Sequence, residues 1–409
     1  MSERMITRGE QMLALRKRRM ASAHPFLRGG FRPFFFGAAA WGVIALTLWL
    51  CSLAGDLTLP SRFEGVAWHR HEMLFGFVGA AVCGFVLTAV PNWTGRLPIA
   101  GPPLLILFSL WVTGRIAVLF SDVIGAVPAA TIDAGLYFVL GLLAAREVAA
   151  AKNRNMPVVA VVLLFGVADA ADHADAAGLL GGTGLGWRGA IALIVLLISL
   201  IGGRIIPSFT RNWMVKQGMT QRLPTQPQSL DLLVIAGTAG ALIFWLAFPK
   251  DQITGMMLIL AAALQLLRLS RWGGWRTARD PLVLILHVGY AWLPIGLLLL
   301  GTAITGMDMV PSAGIHALTA GAMTTMILAV MTRATLGHTG HELKANRLTV
   351  ALYLCVTLGA VMRVIASLGV GPFTVLVNIA GLLWGAALLL FLTAYGAILW
   401  RPKSGEAFE

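Results

Sequence analysis

Long apolar stretches recur along nearly the whole chain, separated by short polar segments. Each is close to the ~20 residues that a helix needs to cross the hydrocarbon core of a membrane. Twelve such stretches lie at residues 32–54, 69–90, 102–121, 128–148, 157–179, 187–207, 230–249, 253–270, 281–303, 311–333, 347–369 and 373–399. The pattern predicts an all-α polytopic protein with about 12 transmembrane helices in one domain (residues 31–400). A basic segment (1–30) precedes this domain and a short tail (401–409) follows it.

The stretch from Trp68 to Arg96 departs most clearly from a plain apolar pattern. It reads WHRHEMLFGFVGAAVCGFVLTAVPNWTGR, so two histidines and a glutamate precede the apolar residues. Ionisable side chains at the edge of the hydrocarbon are costly unless something binds them. We therefore predict a membrane-spanning helix with functional imidazoles at one mouth, ended by a turn that begins at Pro91.

Three of the twelve predicted spans end in similar residues. Span 2 ends in PNWTGR (91–96), span 6 in PSFTRN (207–212) and span 10 in LGHTGH (336–341). When the spans are aligned there without gaps, His71 falls opposite His316. Because the matches recur every fourth span, the sequence predicts three pseudo-repeats of four helices, at about 31–150, 151–275 and 276–400.

Composition and charge agree with a membrane protein. Of the 409 residues 58% are apolar and 12% charged, and the mean hydropathy is +0.81; a soluble domain has roughly 25% charged residues. The net charge of +13 gathers in alternate loops, as the positive-inside rule requires, so both termini are predicted to be cytoplasmic and no nucleic-acid partner is expected. Residues 5–20 are predicted either as an amphipathic helix on the inner membrane surface or as a solvated basic tail.

The histidines near the predicted outer ends of the spans are His69, His71, His173 and His316. His71 and His316 are equivalent in the repeat, and two imidazoles from facing helices can hold a haem iron axially. We predict them as haem ligands, and we expect nearby glycines to make room for the macrocycle. These glycines are Gly76, Gly79, Gly84 and Gly321. The alternative is interhelical hydrogen bonding by the histidines, with the glycines allowing close helix packing.

Two neighbours of His71, namely His69 and Glu72, each have more than one predicted role. Residues two apart on a helix point in nearly opposite directions, so His69 does not easily share an iron with His71. His69 is predicted as an alternative ligand, or as facing a propionate, a second metal or water. Glu72 is predicted either to orient an imidazole through a hydrogen bond or to complement the positive end of the helix dipole.

Further candidate metal ligands lie at both ends of the spans. His287, His338 and His341 lie near the predicted inner ends, and three imidazoles suit copper or zinc. The alternative there is ordinary histidines in a polar loop. His173 lies within an acidic cluster at residues 169–175, which suits a divalent cation or forms an exposed acidic cap.

Several motifs resemble those of the NnrS family, and the resemblance runs through nearly the whole chain. They are RPFFF at 32–36, WHRHEMLFGF at 68–77, TAVPNWTGR at 88–96, HVGYAW at 287–292, IHALTAGAM at 315–323 and MTRATLGHTG at 331–340. The resemblance implies a multi-pass protein of the bacterial inner membrane that contains haem, of type b, and copper. It implies a role in nitric oxide metabolism, in denitrification or resistance to nitrosative stress. Nitric oxide or a small redox partner would be the interacting molecule.

The predicted architecture is also similar, more distantly, to the large subunits of haem–copper oxidases and nitric oxide reductases. Those enzymes carry the histidines of a binuclear centre on helices 6 and 7, whereas spans 6, 7 and 8 of this chain contain no histidine. An oxidase-type binuclear centre is therefore predicted to be absent. Two functions stay open: a redox or nitric-oxide-handling haem protein, with oxidoreductase activity possible, and a transporter or metal-handling permease.

Overall fold

The computed structural model describes residues 22–224, 228–307 and 309–404, together with Gln11, Ala14, Leu15 and Arg18. Within these residues the protein is all-α and has twelve helices long and apolar enough to cross a membrane. They are α1 (Phe31–Ala54), α2 (Gly65–Thr94), α3 (Pro102–Leu119), α4 (Ala126–Ala150), α5 (Met156–Ala176), α6 (Leu185–Lys216), α7 (Ser229–Ala247), α8 (Gln252–Ser270), α9 (Pro281–Ile304), α10 (Pro311–His338), α11 (Arg347–Ser367) and α12 (Phe373–Trp400). The predicted fold class and number of spans are confirmed. The predicted amphipathic helix at 5–20 lies outside the described residues, apart from the four named above.

Helices α2, α6 and α10 extend beyond their predicted ends. The turn predicted to begin at Pro91 is wrong, because α2 continues through Pro91 to Thr94. Its end is at Gly95, whose positive φ of 67° is the left-handed conformation that glycine adopts at helix C-termini. Helix α6 likewise contains Pro207 and runs to Lys216. An isolated proline is tolerated in a membrane helix because neighbouring groups satisfy the carbonyl that it leaves free.

The same three helices each contain a π-helical segment: Glu72–Val78 in α2, Ile198–Gly202 in α6 and Ala317–Met323 in α10. The segments of α2 and α10 begin directly after His71 and His316. They therefore fall opposite each other in the gap-free alignment. This coincidence favours a repeat relation between α2 and α10, while the division into three repeats stays a prediction. Such segments are rare and are frequent at functional sites.

Widening the helix frees backbone carbonyls, which side chains from neighbouring helices satisfy. In α2, the Tyr137 hydroxyl donates to the carbonyl of Phe75 and the Trp111 indole donates to that of Gly76. In α6, the guanidinium of Arg268 donates to the carbonyl of Ser199 over 2.8 Å. The polar side chains around these segments thus stabilise a backbone form that an apolar environment alone would not allow.

The chain divides into two compact units. Unit 1 comprises Met1–Trp187, His338–His341 and Tyr395–Glu409, and unit 2 comprises Arg188–Gly337 and Glu342–Ala394. Unit 1 therefore contains α1 to α5, and unit 2 contains α7, α8, α9 and α11 together with most of α6, α10 and α12.

Polar groups and small residues hold each unit together. In unit 1, Arg32 of the RPFFF motif donates to the carbonyls of Leu399 (2.8 Å) and Arg401 (2.6 Å) at the end of α12. A cation at a helix C-terminus is favourable, and this contact gives the motif a structural role. In unit 2, α8 and α9 approach closely at Gly255 and Gly301, where a Cβ on Gly301 would lie 2.7 Å from the carbonyl oxygen of Gly255. Only small residues allow two backbones to come so near.

Candidate metal centre

Four buried side chains of unit 1 converge on one point near the predicted outer ends of its helices. They are His71 at the start of α2, Asp133 at the start of α4, and Asp169 and His173 on α5. Asp169 and His173 are four residues apart and share one face of their helix. The exposed fraction of each of the four residues is at most 5%. One potential ligand atom from each lies within 4.8 Å of the other three.

The separations match those around a shared metal ion. His71 Nε2 lies 2.9 Å from Asp133 Oδ2 and 3.7 Å from Asp169 Oδ1. His173 Nε2 lies 3.3 Å from Asp133 Oδ2 and 3.7 Å from Asp169 Oδ1. Nitrogen and oxygen ligands at about 2.0–2.2 Å from one ion lie roughly 3–3.6 Å from each other. Little rearrangement is needed for the four atoms to bind a single ion.

A fifth residue, Asp172, fixes the state of the His71 ring. Its Oδ2 lies 2.9 Å from His71 Nδ1, the nitrogen that points away from the convergence point. A carboxylate accepts a hydrogen bond, so Nδ1 carries a proton. Nε2 faces a second carboxylate, that of Asp133, at 2.9 Å; a cation bound at the convergence point would take the place of a proton there and meet the Nε2 lone pair. This carboxylate–histidine arrangement is the one that orients imidazole ligands in metal proteins.

A buried ion network supports the cluster from α3. Arg115 donates to Glu72 Oε2 over 2.8 Å and also to Asp133. Glu72 Oε2 accepts a second hydrogen bond from the Trp41 indole at 2.6 Å. Glu72 therefore anchors Arg115, which in turn holds Asp133 in place. Among the described residues, Asp172 rather than Glu72 contacts the His71 imidazole.

The charges of the cluster do not balance without a cation. Glu72, Asp133, Asp169 and Asp172 are all buried. The guanidinium groups near them belong to Arg115 and to Arg70, which is 3.8 Å from Asp172. With neutral imidazoles, four carboxylates face two cations, and two negative charges stay uncompensated; protonation of His71, which lies between two carboxylates, would leave one. Among the described residues, neither oxygen of Asp169 has a hydrogen-bond partner. A divalent cation would satisfy both requirements, since buried charges are found paired or bound to metals.

Aromatic rings enclose the convergence point. Phe63 lies 4.3 Å from the ring of His71 and 5.1 Å from that of His173, measured between ring centroids. Phe75 lies 4.9 Å from the His71 ring, and Phe165 lies 5.0 Å from Phe75. The two histidines therefore have aromatic rings as well as carboxylates as neighbours.

Comparison with known proteins identifies the family. The sequence model of the NnrS family, described as NnrS protein, matches residues 25–403. This chain belongs to the NnrS family. A comparison with functionally curated proteins gives no match. The match covers all twelve membrane-spanning helices of this NnrS-family protein, so the candidate metal centre lies within the matched residues.

The predicted haem pair of this NnrS-family protein is divided between its units, with His71 in unit 1 and His316 in unit 2. Both nitrogens of His71 face carboxylates at 2.9 Å. A flat macrocycle on Nε2 would have to displace Asp133, Asp169 and His173. The packing at His71 thus fits a bare ion better than a haem, and the predicted pairing with His316 stays a prediction.

The glycines predicted to make room for a macrocycle accommodate aromatic side chains instead. A Cβ on Gly79 would lie 2.0 Å from the Tyr137 hydroxyl, and one on Gly84 would lie 2.8 Å from the Phe35 ring. In unit 2, a Cβ on Gly321 would lie 2.6 Å from the Trp292 indole. A Cβ on Gly76 would likewise lie 2.6 Å from the Trp41 indole. The surroundings of these glycines fit the alternative of close packing, because the rings already fill the space beside each glycine.

The other predicted site residues lie in different surroundings. His69 stacks on Trp49 at 4.9 Å between centroids, away from the convergence point. His287, in unit 2, pairs through Nε2 with the Thr210 hydroxyl at 2.8 Å. In unit 1, the ring of His338 lies 5.4 Å from that of Phe31, and His341 pairs with Thr339. Copper ligation by His287, His338 and His341 stays a prediction.

The acidic cluster at 169–175 is a buried feature rather than an exposed cap. Asp169 and Asp172 are buried and join the metal centre with His173. Asp175, in contrast, accepts hydrogen bonds from the backbone of Thr183 and Gly184 in the following loop. The cluster thus has three residues at the metal centre, Asp169, Asp172 and His173, and one, Asp175, that holds the following loop.

Two residues central to the site were not among the predicted candidates. Asp133 supplies a ligand atom, and Arg115 holds it in position. Each is a charged residue inside an apolar span, and this feature could have identified both, since such residues usually face the protein interior and carry function. Their convergence on His71 could not have been found without the packing of α3 and α4 against α2.

Proposed function

We propose that this NnrS-family membrane protein handles nitric oxide at a divalent transition-metal ion in unit 1. His71, Asp133, Asp169 and His173 are the proposed ligands. The observation that carries the proposal is the convergence of four buried ligand atoms within 4.8 Å of one another. The family name supports the link to nitric oxide, and the inner membrane is the proposed location.

The donor set limits the choice of metal. Two imidazoles with two carboxylates and no thiolate suit copper(II), iron(II) or zinc rather than copper(I) or a hard ion such as magnesium. Copper is the metal that the family resemblance implies, and these residues fit it. The bound metal would supply a Lewis-acidic position at which nitric oxide coordinates.

The protein groups have separate tasks in this proposal. Asp172 accepts a hydrogen bond from Nδ1–H of His71 and so orients the ring with Nε2 toward the ion. Arg115 holds Asp133. The rings of Phe63 and Phe75 pack against the His71 ring and keep bulk water away from it. In a site of low dielectric, the fixed carboxylates hold the ion more firmly than they would in water.

The proposal is tested by counting metals in the full-length protein purified in detergent. Asp169→Asn is the most informative variant, because the Asp169 carboxylate makes no hydrogen bond and the amide has almost the same shape. We expect one metal equivalent to be lost in Asp169→Asn and in His173→Ala. Asp175→Asn is the matched control on the same helix and should keep the ion. Equal metal content in Asp169→Asn and wild type would contradict the proposal.

Two further measurements distinguish nitric oxide handling from metal transport by a permease. Nitric oxide added to the metal-loaded protein should change the electron paramagnetic resonance spectrum of the ion, and Asp169→Asn should remove that change. A metal-handling permease would instead move the ion into sealed proteoliposomes. Uptake that saturates with metal and is lost in Asp169→Asn would favour transport over nitric oxide handling.

A further inference from the structure

A groove lies in unit 1 at the opposite end of α2 from the metal centre, near the predicted inner ends of the helices. It is lined by the first turns of α3, the second half of α4 and the segment that joins α2 to α3. Its volume of about 670 Å³ falls within the roughly 300–1,000 Å³ that is usual for small-molecule sites. The groove is therefore large enough to hold part of a ligand, and its lining indicates which kind.

The walls of the groove are apolar and exposed. Ile106 of α3 and Val139 of α4 both line it, and their exposed fractions are 68% and 41%. Apolar side chains that are exposed on membrane-spanning helices contact acyl chains, which are equally apolar. A narrower cleft, lined by Val86 of α2 and Leu140 of α4, meets the groove at Arg96. These surfaces suit hydrocarbon chains rather than a hydrated solute.

One end of the groove carries two guanidinium groups held by a single carboxylate. Glu147 Oε2 accepts a hydrogen bond from Arg96 Nε. Glu147 Oε1 accepts two from Arg146, over 2.7 Å from Nη2 and 3.0 Å from Nε. All three residues line the groove. Glu147 therefore fixes the two guanidinium groups on either side of one carboxylate, where the apolar surfaces of three helices meet.

This arrangement leaves both charge and hydrogen-bond donors unused. Two guanidinium groups and one carboxylate sum to one positive charge. Among the described residues, Nη1 and Nη2 of Arg96 and Nη1 of Arg146 have no hydrogen-bond partner. The side chains of Arg96 and Arg146 are 44% and 72% exposed, so a ligand can reach them. A phosphodiester brings one negative charge and the acceptor oxygens that arginine binds best.

We propose that this groove binds one anionic phospholipid, with its phosphate on Arg96 and Arg146 and an acyl chain along Ile106 and Val139. Glu147 positions the two guanidinium groups. A zwitterionic lipid also carries a cation in its headgroup and would leave the positive charge of the groove uncompensated, so anionic lipid should be preferred. Basic pockets between membrane-spanning helices on the cytoplasmic side are suited to anionic headgroups. The proposal does not depend on the metal ion proposed for unit 1.

The test counts bound lipid on the full-length protein by native mass spectrometry. Phosphatidylglycerol and phosphatidylcholine with the same acyl chains are the probes, and the wild type should bind the first more tightly. Arg96→Gln should weaken phosphatidylglycerol binding about 5-fold, the effect of one basic residue near an anionic membrane surface. Arg96→Gln combined with Arg146→Gln should remove the preference between the two lipids.

Two further variants test the location of the site and the acyl-chain contact. Arg154 is another exposed arginine near the predicted inner ends and does not line the groove, so Arg154→Gln should leave lipid binding unchanged. Val139→Trp fills the groove without changing its charge and should weaken binding of both lipids. Glycerol phosphate, a soluble headgroup without acyl chains, should not displace phosphatidylglycerol. The metal content of unit 1 should be the same in all these variants, which separates this test from that of the proposed function.

Four results would overturn the lipid assignment. Equal affinity of the wild type for the two lipids would remove the argument from charge. An unchanged preference in the double arginine variant would show that anionic lipid binds elsewhere. Equal weakening by Arg154→Gln would indicate general surface attraction. Displacement by glycerol phosphate would show that the arginines bind a soluble phosphate ester. If the double variant does not fold, the wild-type preference and Val139→Trp still decide.

Discussion

Replacing Asp169 by asparagine should change stability in opposite directions with and without metal. Both carboxylate oxygens are buried and have no hydrogen-bond partner. A buried polar group left unsatisfied costs about 1–3 kcal/mol, and more when it is charged. The amide stays unsatisfied and keeps the neutral part of this cost, but it removes the part that is due to the charge. In the metal-free protein, Asp169→Asn should therefore raise the free energy of unfolding, by about 1 kcal/mol or more. Most substitutions at a fully buried position lower it.

In the presence of metal, Asp169→Asn should instead make the protein less stable than the wild type. An ion present at 100 times its Kd stabilises the folded wild type by about 2.7 kcal/mol. Losing a carboxylate bonded directly to the ion should weaken binding by more than the 10- to 100-fold typical of losing an outer partner. With a Kd about 1,000-fold weaker, the same concentration would stabilise the variant by only ~0.1 kcal/mol. The metal-induced gain should therefore nearly disappear.

Thermal unfolding monitored with a thiol-reactive dye measures both effects. Cys83 is fully buried in α2, so its thiol reports exposure of the unit 1 interior. We expect metal-free Asp169→Asn to unfold at a higher temperature than the metal-free wild type, and added metal to raise the transition only in the wild type. The reasoning is refuted if metal raises the transition equally in both, or if the metal-free variant is the less stable one.

Three further substitutions test the groups around the metal centre. Arg115→Gln should destabilise the protein by about 3–5 kcal/mol, because it leaves the buried Glu72 unpaired; yield and thermal unfolding would show this. Asp172→Asn should weaken metal binding about 10- to 100-fold while full occupancy is still reached at high metal concentration, as measured by metal titration. Gly79→Ala should lower the unfolding temperature, because a Cβ would lie 2.0 Å from the Tyr137 hydroxyl; Tyr137→Phe in the same chain should recover part of the loss.

The structure brings two of the predicted site residues, His71 and His173, together with residues that were not predicted. His71 was selected as functional because an imidazole at a helix mouth requires a partner, and the structure supplies carboxylates as partners. The repeat alignment then directed attention to His316, which lies in the other unit. Sequence position shows depth in the membrane but not which neighbouring helix a side chain faces. Asp133 was therefore overlooked although it lies at nearly the same depth as His71.

The sequence by itself determined the membrane-spanning character, the twelve helices and the family. Each depends on local information, since ~20 apolar residues must form a helix in hydrocarbon whatever surrounds them. The motifs and their order likewise need no structure to be read.

Only the tertiary structure decided which charges meet. The π-helical segment that follows His71, the aromatic rings beside Gly79 and Gly84, and the convergence of α2, α4 and α5 arise from packing between helices. Apolar spans look alike in sequence, so the rotation and pairing of helices follow from small residues and a few buried polar contacts. Those contacts turn scattered histidines and aspartates into one candidate metal centre.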